Sequence, residues 1–221
     1  MNLTIYGDSI LKGVLYENGR YVLERGWEER LARLRDLRVT NRARFGSTLP
    51  KALARIEKDA QTEAAEEEYA LLEFGGNDCD FDWKAVSDAP EAEHVCHTPP
   101  QEFADCCRRA IRLLRGSGRT PLLTTLPPVH AERYLSFLCR GGLNRENLVR
   151  FLGDVQRIYR WQESYSELVE QLSREENTPL IDLRRPFLQD RRPIEALLCA
   201  DGIHPSRQGQ ELLYQAFSAA L

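Results

Sequence analysis

The stretch Asn2-Leu3-Thr4-Ile5-Tyr6-Gly7-Asp8-Ser9 decides the fold. Its β-prone residues run from Asn2 to Tyr6 and break off at Gly7-Asp8-Ser9, the pattern of a strand stopping at a turn. The pattern recurs: Tyr69-Ala70-Leu71-Leu72-Glu73-Phe74 runs into Gly75-Gly76-Asn77-Asp78, and Pro121 to Leu126 stops at Pro127-Pro128. Leu37 to Thr40 and Pro179 to Leu183 complete five strand-like runs. Helical stretches lie between and after them. Pro50 to Ala60 carries Leu53, Ile56 and Ala60 at helical spacing, and Phe103 to Leu114 is closed by Gly116-Ser117-Gly118. Glu146 to Ser173 reads as one or two helices with Ile158, Trp161, Tyr165, Leu168 and Leu172 on one face, and Ser206 to Ala219 is the last helix. Glu66 to Glu68 reads as a solvated acidic run, and Cys79 to Pro100, with no clean period, as a long loop. Strands alternating with helices predict an α/β fold: a parallel sheet covered on both faces, in one domain spanning residues 1–221.

The 221 residues are 42% hydrophobic and 29% charged, with a net charge of −4, a globular composition that excludes a mainly disordered or collagen-like chain. The arginines are scattered, so nothing suggests a nucleic-acid or anionic-membrane footprint. No run approaches the roughly 18 apolar residues of a membrane span. The start of the chain has no basic n-region followed by an apolar stretch, so it reads as cytoplasmic. The six cysteines read as reduced thiols packed as small hydrophobes.

In open parallel sheets ligands sit beyond the carboxyl ends of the strands. Gly7-Asp8-Ser9 falls at such an end, Gly46-Ser47 follows the second strand, and Gly75-Gly76-Asn77-Asp78 follows the third. Asp201-Gly202-Ile203-His204 precedes the last helix. Together they supply a nucleophile, oxyanion donors, a base and an orienting carboxylate, the parts for acyl transfer. Each has a plainer reading: a turn serine, a turn glycine, a loop asparagine, and an aspartate that caps the final helix.

The set Gly7-Asp8-Ser9-Ile10, Gly46, Gly75-Gly76-Asn77-Asp78 and Asp201-Gly202-Ile203-His204-Pro205 resembles the GDSL, or SGNH, hydrolase family, a family of serine esterases and acylhydrolases. All four blocks occur in family order, at both ends of the chain, with Ile10 where the family name has leucine. The resemblance implies a three-layer α/β/α, flavodoxin-like fold with five parallel strands in the order 2-1-3-4-5. It implies that Ser9 is the nucleophile, His204 the base and Asp201 its orienting partner, with Ser9, Gly46 and Asn77 forming the oxyanion hole. It calls for no cofactor and no metal. Asp8 and Asp78 read as loop-holding acids. His94, His97 and Cys96, with Cys79 nearby, match none of the usual zinc spacings, and His130 has no partner motif.

The segments 79–100 and 127–157 match no family block and would set substrate choice, the second as a candidate lid. They contain or adjoin Phe81, Trp83, Tyr134, Phe137, Phe151 and Trp161, an aromatic pocket wall or ordinary core. The expected partner is a small-molecule ester. Arg133, Arg140, Arg145 and Arg150 in the second segment point to a small acyl group on a polar alcohol, such as an acetylated sugar. A thioester or lysophospholipid substrate is the alternative within enzymes, and a non-catalytic carbohydrate- or acyl-binding protein the alternative outside them.

Overall fold

The computed structural model describes residues 2–24, 26–33, 37–64 and 67–221; Glu66 of the acidic run lies outside them. The chain runs through β1 (Asn2–Gly7), the hairpin β2 (Val14–Glu17) and β3 (Arg20–Leu23), α1 (Trp27–Ala32), β4 (Arg38–Asn41) and α2 (Leu49–Asp59). Next come β5 (Glu68–Glu73), α3 (Trp83–Asp88), α4 (Pro100–Gly116), β6 (Thr120–Thr124), α5 (Ala131–Arg140) and α6 (Arg145–Leu152). The last elements are α7 (Arg157–Glu175), β7 (Leu180–Ile181), α8 (Arg185–Gln189), α9 (Ile194–Leu197) and α10 (Arg207–Ala220).

Five strands form an all-parallel sheet in the order β4-β1-β5-β6-β7. Numbering only those five along the chain gives 2-1-3-4-5, as the resemblance implied. The strands are apolar on both faces, as a sheet buried on both sides requires. Leu3 and Ile5 turn to one side, with Leu71, Leu122 and Ile181, and pack against α1, α8, α9 and α10. Tyr6, Ala70, Leu72 and Leu123 turn to the other and meet α2, α4 and α7. A third apolar cluster, from α3, α5, α6 and the start of α7, stands beyond these layers.

One expectation needs correction. Residues 79–100 are not simply a loop. Asp82 accepts a hydrogen bond from the Ala85 N–H and caps α3, and Phe81 bridges Cys96 across the segment's base. The stretch 127–157 holds two helices, α5 and α6, with His130 capping the first by accepting from the Arg133 N–H. The helical run after Glu146 is two helices, broken at Gly153 with φ +72. Among the described residues no helix is long and apolar enough to cross a membrane. All six cysteines are free thiols, four of them buried.

Candidate active site

Ser9 follows β1 at the carboxyl edge of the sheet, and the turn that carries it is tied by Lys12 N–H to Asp8 O (3.1 Å) and Val14 N–H to Ser9 O (3.0 Å). His204 comes from the other end of the chain. Its Nε2 lies 2.8 Å from Ser9 Oγ and its Nδ1 2.6 Å from Asp201 Oδ2. All three are buried. Asp201 Oδ1 also accepts from the Ile203 and His204 N–H groups, both at 3.2 Å, which fixes the short turn. A carboxylate can only accept, so Nδ1 carries the imidazole proton and the bare Nε2 faces the serine hydroxyl. The cap of α10 is Ser206, which accepts from the Gly209 N–H at 3.2 Å, so Asp201 is free of that duty.

Gly202 is what lets this turn close. Its φ is +80, and a Cβ there would stand 2.6 Å from Tyr134 N and 2.7 Å from His130 O. Gly46 also has a left-handed φ, +66, but open space around it. Its loop is tied to the site by Arg44 N–H to Gly7 O (3.0 Å), and among the described residues its own N–H donates to no protein acceptor.

Asn77 Nδ2 donates to Asp8 Oδ2 at 2.7 Å, which leaves its second amide hydrogen for another acceptor. Behind it stands a group of buried acids. Asp8 Oδ1 accepts from the Ile10 N–H (2.8 Å), and the Asp8 N–H donates to Glu73 Oε2 (3.2 Å). Burial, and next the negative Asp8, hold the Glu73 carboxyl well above the usual range, which favours its protonated form beside Asp8. Asp78 accepts from Leu49 N–H (2.9 Å) and Gly75 N–H (3.1 Å), the loop-holding role read from sequence; burial pushes it up to about 6.

A pocket of about 860 Å³, its open mouth included, begins at Ser9, Asn77 and His204. Phe81, Trp83, Tyr134, Phe151 and Trp161 line it; Phe137 does not, and packs on Tyr16 instead. Asp80 fixes two of these rings by accepting from Trp83 Nε1 (2.6 Å) and Tyr134 OH (2.7 Å). Trp161 is fixed by its Nε1 donating to Cys79 O (2.8 Å).

Arg133, Arg140, Arg145 and Arg150 do not line it, whereas Arg157, at the end of that segment, does. Arg133 donates to Glu195 O and Leu198 O, both at 2.9 Å, and Arg140 to Ala200 O (3.1 Å). Arg145 pairs with Glu132 (3.2 Å) and Arg150 with Glu91 (3.7 Å). The remaining histidines serve as pins: His94 contacts Ala89 O, His97 contacts Asn77 O, and His130 pairs with Glu195. Among the described residues no cluster of histidine, cysteine and acidic side chains is suited to hold a metal. Sequence reasoning missed Glu73, Asp80 and the hairpin tyrosines.

The family model of the GDSL-like lipase/acylhydrolases matches residues 5–212. The chain belongs to this family. It is therefore a hydrolase of the esterase/acylhydrolase kind. No curated protein matches it. Among solved structures, the lipase/acylhydrolase from Enterococcus faecalis is 19% identical with a TM-score of 0.64, covering 99% of this chain and 93% of that one. Axe2, an acetylxylan esterase from Geobacillus stearothermophilus, is 20% identical with a TM-score of 0.66, covering 99% and 93%. TesA is 23% identical with a TM-score of 0.62, covering 100% and 98%. At these identities the likeness is one of fold.

Proposed function

We propose that the chain, residues 1–221 acting as one domain, hydrolyses carboxylic esters through an acyl-enzyme on Ser9. The observation that carries this reading is the contact of His204 Nε2 with Ser9 Oγ at 2.8 Å while Asp201 holds Nδ1 at 2.6 Å. His204 takes the hydroxyl proton as Ser9 attacks the ester carbonyl, and Asp201 stabilises the imidazolium. The N–H groups of Ser9 and Gly46 and the free hydrogen of the Asn77 amide receive the oxyanion. The C–O bond to the alcohol breaks, and the leaving oxygen takes the proton from Nε2. Water, with His204 again as base, then releases the acid and restores Ser9.

The aromatic pocket supports an apolar acyl group. The arginines that favoured a small acyl group on a sugar are turned onto carbonyls and carboxylates elsewhere, so they lend that substrate no support. The test is a fluorophosphonate label with hydrolysis of p-nitrophenyl esters of two to twelve carbons. Label should attach at Ser9 and vanish in Ser9→Ala. Each methylene entering the pocket is worth about 0.8 kcal/mol, so kcat/KM should climb by up to roughly 4-fold per carbon until the pocket is full. Label on another serine overturns the nucleophile. A rate that falls steadily from acetate overturns the apolar acyl site.

A further inference from the structure

Outside this pocket, in contact with the His204 ring, lies a second group of rings. Tyr21, from β3, stands edge-on to the His204 ring at 5.4 Å, and Phe45, beside Gly46, lies nearly parallel to it at 6.1 Å with 15° between planes. The two contact each other at 5.0 Å. Neither lines the pocket, and both are open to solvent, Tyr21 at 42% and Phe45 at 51%. We propose that this platform is the leaving-alcohol subsite, and that it takes an alcohol with a flat or ring-shaped apolar face, aryl or sugar. The proposal rests on the Ser9 acyl-enzyme reading above.

The chemistry fixes where the alcohol must lie. When the tetrahedral intermediate collapses, the electron pair of the breaking C–O bond stays on the leaving oxygen, which takes its proton from His204 Nε2. That oxygen is then within hydrogen-bond reach of Nε2, and the rest of the alcohol lies against whatever surrounds the imidazole. With the acyl group in the pocket, the alcohol meets Tyr21 and Phe45.

The platform is also built to be rigid. Tyr21 is backed by Tyr16 at 5.1 Å, and Tyr16 by Phe137 of α5 at 5.3 Å. The Tyr16 N–H donates to Cys199 Sγ at 3.4 Å, joining the hairpin to the segment that leads into Asp201. Arg207 pairs with Glu17 (3.0 Å), beside the turn, and with Glu24 (2.7 Å), just past β3, tying the hairpin to the start of α10. Rings that only shielded the base would themselves be covered; half-exposed rings held in place beside a reacting atom present a binding face.

Four butanoate esters test this: ethyl, cyclohexyl, phenyl and a methyl glycoside monobutanoate. For each, the ratio of variant to wild-type kcat/KM cancels the ester's own reactivity. Phe45→Ala and Tyr21→Leu should each lose about 3- to 10-fold more on ring esters than on the ethyl ester, the size of a lost ring contact. Whether the phenyl or the glycoside ester loses more identifies the natural alcohol. Equal losses on all four, with slower hydrolysis of their common butanoyl-enzyme, would show that the rings merely hold His204; that overturns the subsite and leaves the esterase reading intact. A wild-type protein that hydrolyses none of the four overturns the esterase reading and this assignment together.

Discussion

Glu73 offers a sharp test of the electrostatics behind the oxyanion turn. Its carboxyl is 1% exposed and is raised by burial and by the neighbouring Asp8, so the proton it favours would be donated to Asp8, whose other partners are the Ile10 N–H and the Asn77 amide. Glu73→Gln conserves the hydrogen bonds: Nε2 donates to Asp8 where the protonated carboxyl did, and Oε1 accepts from the Asp8 N–H. Volume is unchanged, so stability near pH 5 should move by less than about 1 kcal/mol. Glu73→Ala strands both the Asp8 carboxyl and the Asp8 N–H. At about 1–3 kcal/mol per stranded buried group, the loss should be roughly 2–5 kcal/mol. With Asp8 displaced, the Asn77 amide loses its anchor, and kcat should fall by roughly 10-fold or more.

The pH dependence has a definite sign. The folded protein holds the Glu73 proton above the unfolded value of 4.5, so this group's stabilisation is complete below that pH and is lost as pH rises through the raised folded value. Gln cannot ionise. The Gln variant should therefore gain on wild type from pH 5 to pH 9 in urea unfolding, with effects of Asp78 and other acids largely cancelling in the difference. A Gln variant destabilised as much as Ala, with a gap constant in pH, would mean that Glu73 is ionised in the fold and refute its protonation.

Other outcomes follow from single contacts. Asn77→Ala should lower kcat about 10²–10³-fold with little change in KM in steady-state kinetics, while Ser9 still labels slowly. Asp78→Asn should act on stability instead: one amide cannot accept from both Leu49 N–H and Gly75 N–H, so thermal melts should show a loss of about 1–3 kcal/mol with a milder kinetic effect. Gly202→Ala forces a Cβ to 2.6 Å from Tyr134 N at a φ of +80; it should cost about 2 kcal/mol or more and take activity with it as the Asp201–His204 turn opens. Activity should survive EDTA, because no cluster among the described residues is suited to hold a metal, and mild alkylation, because burial pushes the Cys199 thiol up to about 11 and also holds the Cys79 thiol well above its ordinary range. Loss on chelation, restored by a divalent ion, would count against the metal-free reading.

What the sequence made legible is what local chemistry dictates. A strand running into Gly7-Asp8-Ser9 or Gly75-Gly76-Asn77-Asp78 must end there, and the residues at such ends are the ones a parallel sheet presents to a ligand. Position in the chain therefore stood in for position in space, and Ser9 and His204, 195 residues apart, meet at 2.8 Å. The hairpin was legible too, and was passed over. Asn18-Gly19, at φ +52 and +77, is the two-residue turn that right-twisted antiparallel strands favour, and Val14 to Glu17 and Arg20 to Leu23 flank it. α3 and α5 were harder: one is six residues long, and the other is capped by a histidine, which is not among the usual capping residues.

Direction was the quantity that composition concealed. Arg133, Arg140, Arg145 and Arg150 suggested a polar pocket only on the assumption that they face it, and a helix carries two faces. α5 sends Arg133 outward to the carbonyls at 195 and 198 and Tyr134, the next residue, inward to Asp80 and the pocket. One step along a helix turns a side chain by roughly 100°, so neighbouring residues report on opposite environments. Glu73 shows the same limit in a strand. Alternation places it on a buried face, but only the approach of β1, which brings the Asp8 N–H to 3.2 Å, explains why a carboxyl can stay there. Burial first, and then the second acid lying against it, raise the Glu73 carboxyl and favour its neutral form, which is what makes a buried acid tolerable there. That pair relation joins residues 65 positions apart, and it holds the Asp8 carboxylate that in turn anchors the Asn77 amide beside Ser9 and His204.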